Sequence, residues 1–204
     1  MECDTKDTPE SSRQSEEQTL FFFGSLMDAD VLEIVLGRPI DQEQLKPGVL
    51  EGYRCEREVK ESYPVLVPYP AGKAEILIVY DLSQIDIERI LFYETGEYDL
   101  ISFTVNDGTQ RINAFGFATG EGIHTSGDTW HLNVWQKTGK ADFLPMAQRF
   151  MTGYGKMSFA EALVYWDELV EEFDNVHECQ SQTNTVIPTA LNIDPSGSRP
   201  PSPE

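Results

Sequence analysis

The sequence predicts one mixed α+β domain, and three observations lead to that prediction. Short apolar runs typical of strands dominate the middle of the chain, and stretches with helical spacing follow toward its end. The length of 204 residues fits one domain, and a hydrophobic fraction of 40% is enough for a buried core. We expect the folded domain at residues 19–175, between a disordered acidic tail at 1–18 and a flexible tail at 176–204.

The first two elements are a strand and a helix. Residues 19–23 form an apolar run that stops at Gly24, which is typical of a buried strand. Asp28 is a suitable N-cap for a short helix, and Gly37 just past its end and Pro39 beyond it are stop signals. The chain is therefore expected to pass from a strand into a helix within a few residues.

Most of the remaining predicted strands lie in the middle of the chain. Pro68 and Pro70 should separate the strands on either side of them, because proline lacks the N–H that a sheet ladder needs. Ser83 and Asp86 have the spacing of a capping box, so a second helix should begin there. The predicted strands are 49–57, 63–67, 74–82, 98–105 and 110–118, of which the last two form a hairpin, and the later helices are 140–152 and 158–173.

Charge and cysteine content restrict the possible partners. The chain has 15 Lys and Arg against 35 Asp and Glu, a formal net charge of −20. Such a surface repels phosphate backbones and anionic lipids, so we expect neither nucleic acid nor a membrane as a partner. Cys3, Cys55 and Cys179 fit neither a disulfide framework nor a zinc motif, which indicates a reducing, cytoplasmic setting. Without a nucleotide-binding motif or metal-ligand spacing in the sequence, we expect no cofactor and no metal.

The junction at Gly24 is the first feature with possible chemistry. A strand that stops at glycine and passes into a helix leaves backbone N–H groups unpaired, and the helix N-terminus adds partial positive charge. Such a junction suits a carboxylate or another anion, although an ordinary strand–loop–helix connection has the same local sequence. Ser25 has no histidine partner at a recognisable spacing, so the sequence does not indicate a serine hydrolase.

Glu94 is the second feature. If the helix that begins after Ser83 continues, Glu94 lies on the same stripe as Ile87, Ile90 and Leu91, which faces the core. A carboxyl group in that position is desolvated, and its pKa rises toward values useful for proton transfer. The alternative is a helix that ends at Tyr93, which would leave Glu94 as a surface carboxylate.

Two motifs, in this order, resemble the γ-glutamyl cyclotransferase-like family, including its AIG2-like branch. Leu20-Phe-Phe-Phe-Gly-Ser-Leu-Met27 is similar to the family's Tyr-Gly-Ser/Thr-Leu signature after the first strand. Phe92-Tyr-Glu-Thr-Gly-Glu-Tyr98 is similar to its Phe/Tyr-Glu-Gly-x-x-Tyr segment, in which the glutamate is the general acid/base. Tyr63-Pro64 with the strand 74–82 resembles the block between them, and the similarity spans residues 19–170.

The resemblance implies a small mixed β-barrel flanked by helices, with the ligand between the Gly-Ser loop and the glutamate. Active members of this family cyclise a γ-glutamyl group into 5-oxoproline and release an amine, an amino acid or a peptide. The resemblance makes Glu94 the general acid/base of a metal-independent reaction. The residues that it assigns to binding of a small γ-glutamyl substrate are Phe23, Gly24, Ser25, Leu26, Met27 and Tyr98.

Two positions depart from the family pattern. Phe23 replaces the usual tyrosine and so lacks a hydroxyl, and Ile76 stands where the family usually has a glycine, which would narrow the cavity. These departures leave a second interpretation open, in which the protein binds a small metabolite or a protein partner without turnover.

Overall fold

The computed structural model describes residues 18–59, 64–95, 100–117 and 124–183, with the side chains of the last helix described as far as Phe173. Within these ranges the chain forms six strands and five α-helices. The strands are β1 Gln18–Phe22, β2 Leu45–Glu58, β3 Pro64–Leu82, β4 Leu100–Asn106, β5 Arg111–Phe117 and β6 Thr125–Thr129. The helices are α1 Ala29–Leu36, α2 Gln84–Tyr93, α3 Leu132–Thr138, α4 Lys140–Met151 and α5 Phe159–Thr183, and short 3₁₀ turns lie at Ser25–Met27 and Gln42–Gln44.

Five of the strands close into a barrel. Their order is β3, β1, β5, β4 and β2, and a second pairing between β2 and β3 completes the ring. The pairing of β1 with β5 is parallel, whereas the other neighbours in the ring are antiparallel, so the barrel is mixed. β6 lies outside the ring and pairs with the last residues of β2. The predicted α+β class, a small mixed β-barrel flanked by helices, is confirmed.

The alternation of side chains along β1 separates two apolar cores. Phe21 belongs to a cluster drawn from all five barrel strands, whereas Leu20 and Phe22 belong to a cluster that includes residues of the helices. Successive side chains of a strand point to opposite faces, so the first cluster fills the barrel and the second lies between the barrel and the helices. The barrel interior consists of Phe21, Leu50, Leu66, Ala74, Ile76, Ile78, Val105 and Ala114.

The predicted start and stop of the first helix and the predicted start of the second are confirmed. The Asp28 side chain accepts a hydrogen bond from the N–H of Asp30 and caps α1, and Gly37 ends this helix in the left-handed conformation that glycine adopts without strain. Ser83 and Asp86 form a reciprocal capping box at the start of α2. The hairpin of β4 and β5 also forms near the expected residues.

The prediction that Pro68 and Pro70 separate two strands is wrong. β3 runs through both prolines without interruption. Its pairing with β1 involves only residues 77–82, so the proline-containing half has β2 alone as a neighbour. The register between β2 and β3 shifts at residues 69–72, which include Pro70, and Pro68 stands at the edge of this irregularity. Prolines are tolerated in strands at such irregularities and where one neighbouring strand is missing.

The second half of the chain differs from the prediction in three places. β6, with the polar sequence Thr-Ser-Gly-Asp-Thr, and the seven-residue helix α3 have no counterpart among the predicted elements. α5 extends to Thr183, ten residues beyond its predicted end at 173 and into the segment expected to be a tail. Residues 1–17 and 184–204, where the predicted tails mostly lie, are outside the described residues. In the part of the chain that is described, no helix has the length and apolar character needed to cross a membrane.

Candidate active site

The loop after β1 is a single 3₁₀ turn that leads directly into α1. The Met27 N–H donates to the Gly24 carbonyl oxygen and the Asp28 N–H donates to the Ser25 carbonyl oxygen, both at 2.9 Å. The amides of Ser25 and Leu26 precede the first of these bonds, as the first N–H groups of any helical turn do. These two amides therefore have no hydrogen-bond acceptor within the turn itself.

Side chains on either side of Ser25 anchor this loop in the core. Leu26 is buried, while Phe23 and Met27 are partly buried and pack against the cluster between barrel and helices. The Cys55 thiol donates to the Phe23 carbonyl oxygen, with an Sγ–O distance of 3.2 Å. The side chains of Phe23, Leu26 and Met27 thus hold the loop in place.

Glycine is required at position 24 because another element packs against it. A Cβ atom on Gly24 would lie 2.8 Å from Cγ and 3.4 Å from Cδ of Pro64, the first residue of β3. Ordinary side chains do not tolerate the shorter distance, and a proline ring has no flexible end that could move aside. The loop can therefore lie close to β3 only with glycine at this position.

Glu94 combines parts of both interpretations of the sequence. α2 ends at Tyr93, as the alternative supposed, and Glu94 is its C-terminal cap, with its N–H donating to the Ile90 carbonyl oxygen at 3.0 Å. Its side chain is nevertheless largely covered, and burial raises its pKa to about 7. Among the described residues, no hydrogen bond or ion pair engages this carboxyl group. A carboxyl group with a pKa near neutrality can both accept and donate a proton.

Tyr93 connects Glu94 to the Gly-Ser loop, and sequence reasoning did not single it out. Its hydroxyl lies 3.0 Å from the Ser25 hydroxyl oxygen. Burial raises the pKa of the Tyr93 phenol, and the neighbouring charge of Glu94 raises it further. The structure thus joins Ser25 of the first motif to Tyr93, the residue that precedes Glu94 in the second motif. Tyr93 lies three residues after Ile90 on the apolar stripe, but periodicity alone does not distinguish a site tyrosine from a core aromatic residue.

Asp28 connects the same loop to the C-terminal helices. It accepts hydrogen bonds from Gln136 of α3 and Lys140 of α4, each at 2.7 Å, and only 2% of the residue is exposed. Burial acts to raise the pKa of Asp28, but the hydrogen bonds from Lys140 and Gln136 outweigh it and hold the pKa below its ordinary value. A buried ion pair therefore fixes the position at which the loop becomes α1.

Tyr98 and Ile76 are two further residues that the sequence singles out. Tyr98 lies outside the described residues, so its assignment to the substrate pocket stays a prediction. Ile76 is buried in the barrel interior, in the cluster against which Phe23 of the loop also packs. Within the described ranges, no three His, Cys, Asp or Glu side chains are grouped as a metal site would require.

Fold and site together define a class of protein: a closed mixed barrel in which Ser25 of the Gly-Ser loop is hydrogen-bonded to Tyr93, the residue before a carboxyl group whose pKa burial raises to about 7. The family model for γ-glutamyl cyclotransferase, AIG2-like, matches residues 20–137, more than half of the chain. The chain belongs to this family.

Two AIG2-like proteins and one solved structure are similar to this chain. AIG2-like protein C of Arabidopsis thaliana is 22% identical over 136 residues, which is 65% of this chain and 77% of that protein. AIG2-like protein B of the same plant is 20% identical over 163 residues, or 75% and 92% of the two chains. A solution structure of an Arabidopsis thaliana protein covers 75% of this chain and 88% of its own, with 20% identity and a TM-score of 0.50. At that identity the structural likeness bears on the fold alone.

Proposed function

We propose that the protein is a γ-glutamyl cyclotransferase-type enzyme that releases 5-oxoproline from a small γ-glutamyl compound. The observation that carries the proposal is the Glu94 carboxyl group: burial raises its pKa to about 7, and its charge acts on the Tyr93 phenol, which is hydrogen-bonded to Ser25 of the Gly-Ser loop. Family membership supports the same chemistry. The acidic composition further favours an enzyme that binds neither nucleic acid nor a membrane, and the three widely spaced cysteines favour a cytoplasmic one.

The reaction requires orientation and proton transfer. The substrate's α-amine nitrogen attacks its own γ-carbonyl carbon, and Glu94 accepts the proton that this nitrogen loses as the new N–C bond forms. The carbonyl oxygen becomes negatively charged, and the N–H groups of Ser25 and Leu26 are suited to stabilise it. The bond to the leaving nitrogen then breaks, and Glu94 returns its proton to that nitrogen. Substrate atoms are all recovered in 5-oxoproline and the released amine, and no water is consumed.

The site matches this reaction because both reacting groups belong to one molecule. Closing a five-membered ring needs mainly a fixed geometry, so a loop of backbone donors and one acid/base suffice. A carboxyl group with a pKa near 7 is half ionised at neutral pH, so it can serve both proton transfers at nearly equal free-energy cost. Tyr98, which follows Glu94 by four residues, is proposed to line the pocket.

A second candidate function is binding without turnover. Phe23 favours it, because this position carries no hydroxyl for a ligand, and so does the bulky Ile76 inside the barrel. In that case the Gly-Ser loop would bind a carboxylate-containing metabolite, and Glu94 would contribute to recognition only.

The deciding experiment measures 5-oxoproline release by liquid chromatography and mass spectrometry. Purified protein is incubated with a γ-glutamyl amino acid, a γ-glutamyl amine and glutathione. Glu94→Gln is the test variant, and Glu88→Gln, on the exposed side of the same helix, is the matched control. Release by wild type and Glu88→Gln, but not by Glu94→Gln, supports the enzyme. If wild type releases nothing while one of these compounds still raises its melting temperature, binding without turnover is the correct function.

A further inference from the structure

The hydroxyl pair of Ser25 and Tyr93 is a part of the site that the acid/base mechanism leaves unused. The two oxygen atoms are 3.0 Å apart, and the two residues are 68 positions apart in the sequence. The Tyr93 ring is held from the other side by an edge contact with Phe150 of α4, at a centroid distance of 6.4 Å. The position of the Tyr93 hydroxyl is therefore set by packing, and it is available to orient a more mobile partner.

The protons of this pair can be assigned from elementary chemistry. Each hydroxyl carries one proton, and one of the two is used in the bond between them. A phenol is more acidic than an aliphatic alcohol, so it is the better donor, and Tyr93 is expected to donate to Ser25. Burial and the charge of Glu94 both raise the pKa of the phenol, which therefore keeps its proton. The Ser25 proton remains free for another acceptor.

The free proton lies in the same turn as the backbone donors. Ser25 is the first residue of the 3₁₀ turn, so its hydroxyl and the amides of Ser25 and Leu26 are separated by only a few ångströms along the chain. Phe23, at the start of this loop, has no hydroxyl. Among the described residues of the loop, Ser25 is thus the side chain that can add an O–H donor.

We propose that Tyr93 is a positioning residue, which orients the Ser25 hydroxyl so that its proton is donated to the γ-carbonyl oxygen of the substrate as that oxygen becomes negatively charged. The inference rests on the proposed cyclisation. To the backbone donors it adds the Ser25 hydroxyl as a side-chain donor and Tyr93 as the residue that orients it. The group that this hydroxyl contacts is the negatively charged carbonyl oxygen of the substrate. No proton is transferred in this contact, and Glu94 carries out both transfers.

The test is a double-mutant cycle with Tyr93→Phe and Ser25→Ala, read as separate kcat and KM values for 5-oxoproline release. Ser25→Ala loses the donor, and we expect its kcat to fall about 100-fold, as for other oxyanion donors. Tyr93→Phe loses only the orientation, and we expect a fall in kcat of about 10-fold with KM changed less than about 2-fold. Because Tyr93 acts through Ser25, the double variant should have the kcat of Ser25→Ala alone.

Tyr154→Phe is the matched control. Tyr154 packs against the neighbouring Phe92 at a centroid distance of 5.8 Å, so the same hydroxyl is removed from the same aromatic cluster. We expect its kcat to equal that of wild type. Ser25→Thr keeps a hydroxyl and should recover most of the kcat that Ser25→Ala loses.

The outcomes separate this inference from the proposed function. If wild type is active but Tyr93→Phe retains its full kcat, or if the two single losses multiply in the double variant, the inference is overturned and cyclisation stands. If wild type releases no 5-oxoproline from any of the three substrates, cyclisation is overturned and the inference falls with it. Thermal unfolding establishes that each variant is folded. If Tyr93→Phe is not, the comparison of Ser25→Ala with Ser25→Thr decides, and a Ser25→Ala variant that keeps the full kcat of wild type contradicts the inference.

Discussion

Replacing Glu94 by glutamine is the change that most directly probes the candidate site. The substitution keeps the size of the side chain and removes its ability to accept a proton. General acid–base catalysis by one side chain typically contributes about 10²- to 10⁴-fold to a rate, so we expect kcat to fall within that range. The backbone donors of the Gly-Ser loop remain in place, and KM should therefore change far less than kcat.

The pH dependence adds a signature that only the titrating group can produce. Burial raises the pKa of Glu94 to about 7, and the free carboxylate is the form that accepts the proton of the substrate amine. The value of kcat/KM should therefore rise about tenfold per pH unit below pH 6 and level off above about pH 8. Initial rates of 5-oxoproline release between pH 5 and pH 9 give this profile for wild type. The residual activity of Glu94→Gln should not show the inflection near pH 7.

Two results would refute this reasoning. One is a wild-type inflection between pH 4 and pH 5, since that is the range of a carboxyl group in water and not of a desolvated one. The other is a loss of activity in Glu88→Gln as large as that in Glu94→Gln, since Glu88 is exposed on α2 and lies outside the site. Either result would mean that the carboxyl group of Glu94 is not the acid/base.

Two other substitutions test how the loop is held. Gly24→Ala places a Cβ 2.8 Å from Cγ of Pro64, so we expect a loss of about 1–3 kcal/mol in the free energy of unfolding and a displaced loop with reduced 5-oxoproline release; full activity and stability would contradict the packing argument. Lys140→Met leaves the buried Asp28 carboxylate without its cation, and urea denaturation should show a loss of about 2–3 kcal/mol, whereas an unchanged midpoint would mean that Asp28 does not need this partner.

Local sequence signals were sufficient to predict those features of the fold whose hydrogen bonds join residues only a few positions apart. The cap at Asp28, the capping box of Ser83 and Asp86, and the left-handed Gly37 are all interactions of this kind, and all are present. Interactions between distant residues decided the rest. Whether proline interrupts a strand depends on which neighbours the strand has. The half of β3 that contains Pro68 extends beyond the short strand β1, and this pairing is not described by propensities.

The same distinction applies to the candidate site. Glu94 stood out in the sequence because a carboxyl group near an apolar stripe is unusual, and the periodicity argument assigned it a helical position that it does not have. What raises its pKa is burial by the surrounding fold. Tyr93 could not be recognised, because its partner Ser25 is 68 residues away and any aromatic residue would satisfy the pattern. Sequence reasoning thus supplied the Gly-Ser loop and the segment that contains Glu94. The hydrogen bond between Ser25 and Tyr93, which joins the two, was found only in the structure.

The raised pKa of Glu94 also has a consequence for stability, and it gives a test that does not depend on finding the substrate. In the unfolded chain the group titrates near its ordinary value of 4.5, and in the folded protein near 7. Below about pH 4 both states are protonated and the group has no effect. As pH rises from there to about 7, the unfolded state loses its proton first, so the wild-type protein becomes less stable relative to its unfolded form.

The full shift from 4.5 to about 7 corresponds to about 3 kcal/mol, and partial exposure of the side chain reduces this to about 1–3 kcal/mol above pH 7. Glu94→Gln does not ionise and should escape this loss. Its stability relative to wild type should therefore increase between pH 5 and pH 8 by that amount in urea denaturation. A difference that does not vary with pH would show that the Glu94 carboxyl group is not desolvated in the folded protein. A variant that is more stable at pH 8 but inactive would show that the fold gives up stability to keep a proton-transfer group in its site.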